Sequence, residues 1–483
     1  GRQHAVRLVS WIEGVPLGSS RPISDDLMRD VGAVLARADQ VLSDLDGKAA
    51  PKKFVWNLCY ARLTIEDRLQ LLPKGRRGLI LHFLDLYGQL VEPYRTQLPH
   101  QLVHGDGNDY NILVGPPSAK GERNLTALID FGDMSVSARI TDPAIAAAYL
   151  AFHREDPIDA MQAVLSGYHA ESPVSELEVA SFFVFVALRL CISVCLSAEQ
   201  QAAEPDNEYL SISEDDAWTC LSHLRDIHPN LAHYRLRAAL GWEPVPGSSR
   251  VSDWIEQHRH EFAPVITGPD EDAEPVYFDF SVASLEFDPT SLTVPGHAAE
   301  ALWKATGDGV SIGRWNEPRL AYTGAAYGTL SGERRTVHIG VDLFRQEGTP
   351  VCAPLDGIVH STCISHDQFD YGGCVLLEHR PDEAPVFWTL YGHLSHDSVL
   401  QLEKGQRIRS GEAFVQLGAF EENGGWVPHL HFQIVTDRLD LEGTFPGVAA
   451  PSQLATWLSL SPSPKNLLGL DGRVDTPPRL STE

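Results

Sequence analysis

Five residues in the C-terminal half have the types and spacing to hold a metal ion and use it. They are His338 and Asp342 in His338-Ile-Gly-Val-Asp342, His393 in Tyr391-Gly-His393-Leu394, and both histidines of His429-Leu-His431. Side chains at i and i+2 of a strand share a face, so His429 and His431 point into one groove if their segment is extended. His338 and Asp342, at i and i+4, do the same. The flanks Val341-Asp-Leu-Phe344 and His431-Phe-Gln-Ile-Val435 are β-rich. Imidazole nitrogens with a carboxylate suit zinc. Three protein ligands and an open water position describe a catalytic zinc, whereas a structural zinc is closed by four ligands, often cysteines. Five groups leave two histidines to orient water, shuttle protons or hold a tetrahedral intermediate. Any one of these histidines alone reads as an ordinary polar residue on a half-exposed strand. The ordered set does not.

The surrounding text sharpens this. His338-Ile-Gly-Val-Asp-Leu, Gly348-Thr-Pro-Val-Cys-Ala-Pro-Leu-Asp-Gly357, Tyr391-Gly-His-Leu, Lys404-Gly-Gln and Pro428-His-Leu-His-Phe432 follow in order. Together they resemble the lysostaphin-type (LytM-like) zinc endopeptidases over about residues 285–450. The resemblance implies a compact antiparallel β domain with zinc held by His338, Asp342 and His431. It implies that His393 and His429 act on the water and the oxyanion. Family members that cleave wall peptides are exported, whereas the start of this sequence, Gly1-Arg-Gln-His-Ala-Val-Arg, lacks an apolar segment of signal type.

A second constellation lies earlier. His104-Gly-Asp106-Gly-Asn-Asp-Tyr-Asn111 is followed by Leu128-Ile-Asp130-Phe-Gly132-Asp133. An aspartate, an asparagine five residues on, and a strand ending in Asp-Phe-Gly form a phosphotransfer pattern. The stretch resembles the catalytic and metal-binding loops of aminoglycoside phosphotransferases and choline-kinase-like enzymes. That resemblance implies Asp106 as base, Asn111 and Asp130 as ligands of Mg2+, and ATP as phosphoryl donor. A phosphate-covering loop and a strand lysine are not recognisable before residue 104. Val6-Arg-Leu-Val-Ser-Trp-Ile-Glu13-Gly14 reads as the last N-lobe strand and hinge, so the chain reads as a kinase C-lobe lacking most of its nucleotide clamp, with little kinase activity expected of it in this form.

The elements that must position these groups follow from periodicity. Ser24 caps a helix whose stripe is Leu27, Val31, Val34 and Leu35. A second helix is predicted from Gly78 to Leu90. Phe182 to Leu196 is a buried helix shorter than the roughly 20 residues of a membrane span, with Arg189 in its middle. The stretch from Leu196 to Asp216 begins as helix and turns into an exposed loop. Trp242-Glu-Pro-Val-Pro-Gly-Ser-Ser-Arg250 marks a boundary, a helix follows at Val251 to Phe262, and β-like text begins at Val276. The predicted organisation is multidomain: a mainly α kinase-like C-lobe (1–245), a linker with a short helix (246–284), an all-β, antiparallel peptidase domain (285–450) and an extended tail (451–483). This order resembles the N-terminal part of large bacterial proteins that end in a class III aminotransferase, a neighbour of the same polypeptide.

Composition sets the outer limits. The chain has 483 residues, 43% hydrophobic and 21% charged, as in soluble globular domains. Its formal charge of −27 argues against nonspecific binding to nucleic acid or anionic membrane. Seven scattered cysteines without a CxxC point to a reducing cytoplasm. The expected function is zinc-dependent hydrolysis of an amide or peptide bond in a small molecule or short peptide. The alternatives are a small-molecule phosphotransferase in the full-length protein, with the peptidase-like domain as accessory, and a non-catalytic scaffold that binds the substrate.

Overall fold

The computed structural model describes residues 10–50, 54–204, 214–266, 274–294, 297–307, 309–322, 324, 327–329 and 331–475. The chain forms two compact units, Gly1–Trp242 and Glu243–Glu483.

The first unit is helical around short strands. Its strands are β1 (Val15–Pro16), β2 (His100–Val103), β3 (Ile112–Val114), β4 (Leu125–Leu128) and β5 (Ser135–Ala138). They pair as β1-β3-β4 and β2-β5. Its helices are α1 (Asp25–Ser43), α2 (Ala61–Glu66), α3 (Arg77–Leu90), α4 (Thr141–Leu150), α5 (Pro157–Glu171), α6 (Glu176–Ala203), α7 (Glu214–Arg225) and α8 (Pro229–Ala239). Ser24 caps α1 by accepting from Leu27 N, and Leu27, Val31 and Leu35 are buried on one face. A capping box of Ser175 and Glu178 starts α6. This helix is longer than its apolar stretch suggests. It has the length and composition of a membrane span, and 89% of its most apolar stretch is buried within the unit. That burial is what a central core helix requires. The part of the N-lobe strand read at Val6–Val9, and residues 205–213 of the loop after α6, lie outside the described residues.

The second unit is built on an eight-stranded sheet. Its strands are β6 (Val276–Tyr277), β7 (Ser311–Gly313), β8 (Glu317–Pro318), β9 (Val337–His338), β10 (Val341–Phe344), β11 (Pro350–Cys352), β12 (Gly357–Ile364), β13 (Gly373–His379), β14 (Phe387–Leu394), β15 (Arg407–Ile408), β16 (Ala413–Gln416), β17 (His429–Val435) and β18 (Val448–Ala449). The large sheet runs β15-β12-β13-β14-β17-β10-β7-β6. Its pairs are antiparallel except β6 with β7. Smaller sheets pair β11 with β16 and order β18-β9-β8. Helices α9 (Ser248–Gln257), α10 (Pro289–Thr293), α11 (Ala299–Thr306), α12 (His396–Val399) and α13 (Leu454–Leu460) accompany the strands.

Three expectations are corrected. The stretch 246–284 is not a linker: Val251 and Ile255 of α9, with Val265, are buried in the core of the second unit. Their i, i+4 spacing was readable, but its burying surface comes from distant strands. The tail from 451 to 475 is folded. Trp457, Leu460, Leu467 and Val474 are buried, and the Ser461 carbonyl accepts from Trp315 Nε1 at 2.9 Å. Serines and prolines looked exposed there because local composition does not register such distant partners. The unit is β-rich rather than all-β, because α10 and α11 occupy the segment between β6 and β7.

His379 closes β13 as a buried, neutral imidazole. Its Nδ1 lies 2.9 Å from the Asp356 carbonyl and its Nε2 lies 2.8 Å from Thr389 Oγ1. Burial pushes its pKa down to about 4. The unfolded chain, with an ordinary histidine near 6.5, therefore binds the proton first as pH falls. Stability should drop between about pH 6.5 and 4, by about 3 kcal/mol at the lower end. Urea unfolding of the chelator-treated protein should show this acid loss, and His379→Gln should flatten it. A difference between the two proteins that stays constant from pH 7 to 4.5 would remove His379 from that titration.

Candidate active sites

Strand register assembles the histidine–aspartate cluster. Asp342 on β10 is opposite His431 on β17, and Phe344 is opposite His429. His338 ends β9 just before the chain crosses to β10. The glycine between them is required by close approach: a Cβ on Gly340 would lie 2.5 Å from His431 Nε2. His393 sits at the end of β14 with a left-handed backbone, φ 64°. Non-glycine residues pay for this conformation and hold it mainly at sites.

His338, Asp342 and His431 are all buried, and their ligand atoms lie within 4.8 Å of one another. The separations are 2.9 Å from His338 Nε2 to His431 Nδ1, and 3.2 and 3.3 Å from these nitrogens to Asp342 Oδ1. An ion held tetrahedrally at about 2.0–2.1 Å from each ligand would space them about 3.3 Å apart. Asp342 Oδ1 is buried without a hydrogen bond, although His429 Nε2 also approaches it to 3.6 Å. A buried carboxylate oxygen ringed by imidazoles fits a cation between them.

The ring orientations support this. His338 Nδ1 is 2.9 Å from the Arg314 carbonyl, and His431 Nε2 is 3.0 Å from Gln433 Oε1. Each contact takes the N–H of its ring and leaves the opposite nitrogen as the ligand. Gln433 is itself fixed, donating from Nε2 to Ser461 Oγ at 2.6 Å. His393 Nδ1 and His429 Nδ1 face the carbonyls of Asn423 and Val427 at 2.8 and 2.6 Å, so their Nε2 atoms carry lone pairs. Burial holds both rings below the usual histidine range. Burial and then the Arg319 cation take His338 down to about 4. These three imidazoles are therefore neutral near pH 7.

Arg319 escaped the sequence reading. It follows β8, is buried, and donates from Nη1 to Asp342 Oδ2 at 2.5 Å and from Nε to Glu317 Oε2 at 2.8 Å. Burial alone would raise the Asp342 carboxyl, but facing His338 and Arg319 hold it well below the usual range. Nothing in the spacing of Glu317 and Arg319 marks them, because they meet Asp342 only through the fold.

The second constellation is also assembled. Buried Asp142 accepts from His104 N and Gly105 N at 2.7 and 2.8 Å, fixing the loop. Asn111 Nδ2 donates to the carbonyl and Oδ2 of Asp106, both at 2.8 Å. That commits its nitrogen and leaves the amide oxygen to offer a cation. Asn111 O accepts from Ile129 N at 2.9 Å, which joins this loop to the one bearing Asp130. Asp130 is exposed and left-handed, φ 62°, and accepts from Gly132 N. Burial, then the Asp106 and Asp130 carboxylates, raise the Asp133 carboxyl. This concentration of negative charge suits a divalent cation. Arg189 of α6 donates to Asp106 Oδ1 at 2.6 Å. Its guanidinium lies 4.2 Å from the Trp56 ring centroid.

Comparison with known proteins finds one family match in each unit. Residues 1–178 match the Phosphotransferase enzyme family, and residues 336–442 match Peptidase family M23. Hydroxylysine kinase of Bos taurus is 28% identical over 235 residues, 47% of this chain and 62% of that protein. The DD-carboxypeptidase/endopeptidase Mpg of Neisseria meningitidis is 33% identical over 97 residues, 20% of each chain. The chain thus spans less than two thirds of the kinase and a fifth of the peptidase. The catalytic domain of lysostaphin from Staphylococcus simulans aligns at 21% identity and TM-score 0.20, covering 33% of this chain and 98% of that domain.

Two outcomes follow from the buried arginines. Arg319→Met should weaken zinc binding about 10- to 100-fold in a chelator competition, and unchanged affinity would limit Arg319 to a folding role. Asp106→Ala should destabilise the first unit by about 3 kcal/mol in urea, because it strands the buried Arg189 charge. An equally stable variant would show that Trp56 and the Tyr149 hydroxyl, which accepts from Arg189 Nε at 3.1 Å, suffice to hold that cation.

Proposed function

We propose that this chain, which carries a phosphotransferase-family domain followed by an M23 peptidase domain, is a zinc-dependent hydrolase of an amide or peptide bond. The observation that carries the reading is the buried His338–Asp342–His431 triad, with two further neutral histidines beside it. Zinc, when bound there, would supply Lewis acidity and lower the pKa of water toward about 7. His338 Nε2, His431 Nδ1 and one oxygen of Asp342 would hold the ion, while Arg319 occupies the other oxygen. His393 and His429, each anchored through Nδ1, present Nε2 to take a proton from the attacking water and return it to the leaving amine. Their rings lie 4.3 Å apart, close enough to divide proton transfer and oxyanion stabilisation between them.

In this proposal the substrate is a small molecule or short peptide, and nucleic acid and membrane are not partners. The cysteines, all unpaired, fit a reducing cytoplasm. A second reading rests on the preformed Asp106–Asn111–Arg189 arrangement. The full-length protein would then transfer phosphate from ATP with Mg2+ to a hydroxyl of a small amine such as hydroxylysine, with Asp106 as base and Asn111 and Asp130 as metal ligands. A neighbouring aminotransferase domain of the same polypeptide belongs to this proposal as a partner.

Elemental analysis should find about one zinc per chain. Asp342→Ala should lose zinc and amide hydrolysis together. His429→Ala should keep zinc but lose about 100- to 10,000-fold in turnover. Zinc retained by Asp342→Ala, or full turnover by His429→Ala, would contradict the assigned roles.

A further inference from the structure

The metal cluster forms one side of a cavity of about 500 Å3, a size typical of small-molecule sites. Its two walls differ. On one side the Phe344 ring stacks on His429, with centroids 4.9 Å apart, and Phe280 lies 5.4 Å from Phe344. Leu292, Ala298 and Leu302 continue this wall and are buried against Phe344. They come from the segment between β6 and β7, outside the stretch that matches the peptidase family.

The opposite wall is aromatic and polar. Tyr322 is 6.5 Å from His338 and 5.0 Å from Tyr327, and Trp426 is 6.1 Å from His393. Trp426 Nε1 is buried without an acceptor, a cost that an acceptor atom on a ligand would relieve. Asp367 and Asp370 line the cavity on this side, beside Phe369 and Tyr371.

Resting on the amide-hydrolase reading, we propose that the substrates are small amides with an apolar acyl half and a polar amine half. The apolar wall begins in contact with His429, so the group nearest the reacting carbonyl fills it. The amine half lies toward Asp367 and Asp370, whose charge favours the ammonium product. Water adds to the acyl carbon, the C–N bond breaks, and the amine leaves with a proton, giving a carboxylate and an ammonium ion. A flexible glycine bridge has no group to occupy the apolar wall and is a poor substrate.

Calorimetric titration of the zinc-loaded full chain with acetohydroxamate and hexanohydroxamate tests this. Each buried methylene adds about fourfold in affinity, so hexanohydroxamate, with four more methylenes, should bind about 250-fold tighter. Phe280→Ala, at a half-buried position, should reduce that ratio. Binding of both probes with equal affinity would overturn the apolar-acyl assignment and leave the metal site standing. Binding of neither would overturn the hydrolase reading and this proposal with it.

Discussion

Asp342 is a carboxylate without access to water, and the second unit is arranged around that constraint. Burying an isolated charge costs far more than a domain's net stability. One oxygen is met by Arg319, whose own burial is matched by Glu317. The other is ringed by nitrogens of His338, His431 and His429 without a hydrogen bond. Imidazoles alone cannot compensate a carboxylate fully, whereas a divalent cation can. The features around it follow: antiparallel register to place His431 opposite Asp342, a glycine at 340 to admit the ring, and carbonyls to turn each histidine.

The first unit solves a related problem differently. Asp106 also pairs with a buried arginine, Arg189, but its side chain keeps 19% exposure. Its second oxygen meets Asn108 and Asn111 rather than imidazoles. A carboxylate that stays partly wet, with neutral amides rather than cations at its second oxygen, can accept a proton from an incoming hydroxyl. One that is dry and ringed by nitrogens is suited to a metal. The difference in surroundings separates the two chemistries more clearly than the residue type does.

The legibility of the sequence follows the range of the interactions. Spacing marked Asp342, His429 and His431 because side-chain alternation is a local property of β10 and β17, and the fold brings His338 of β9 and His393 of β14 beside them. Asp106, Asn111 and Asp130 were readable for the same reason, as they lie on two short loops. The capped helix at Ser24 rested on a local hydrogen bond. Arg319, Glu317, Arg189 and Gln433 were not singled out, because each acts on a group far away in the chain. Arg189 was noticed only as an interruption of an apolar helix, and its partner Asp106 lies 83 residues away.

The misread ends of the second unit show why range matters for function as well as fold. Residues taken for a tail supply Ser461, which holds Gln433, which in turn faces His431 Nε2. This relay turns His431 Nδ1 toward His338 and Asp342. Gln433 also donates to the Pro446 carbonyl at 3.1 Å, so its amide cannot rotate without breaking buried hydrogen bonds, each costly to leave unmade. The segment between β6 and β7 acts on the opposite side, where Phe280 and the residues behind it pack on Phe344 of β10, the ring that stacks on His429. Motifs carry the reactive groups, while segments without motifs settle their tautomers and enclose them. In this chain the reactive groups are therefore readable from the motifs, whereas much of the wall around them comes from segments that carry none.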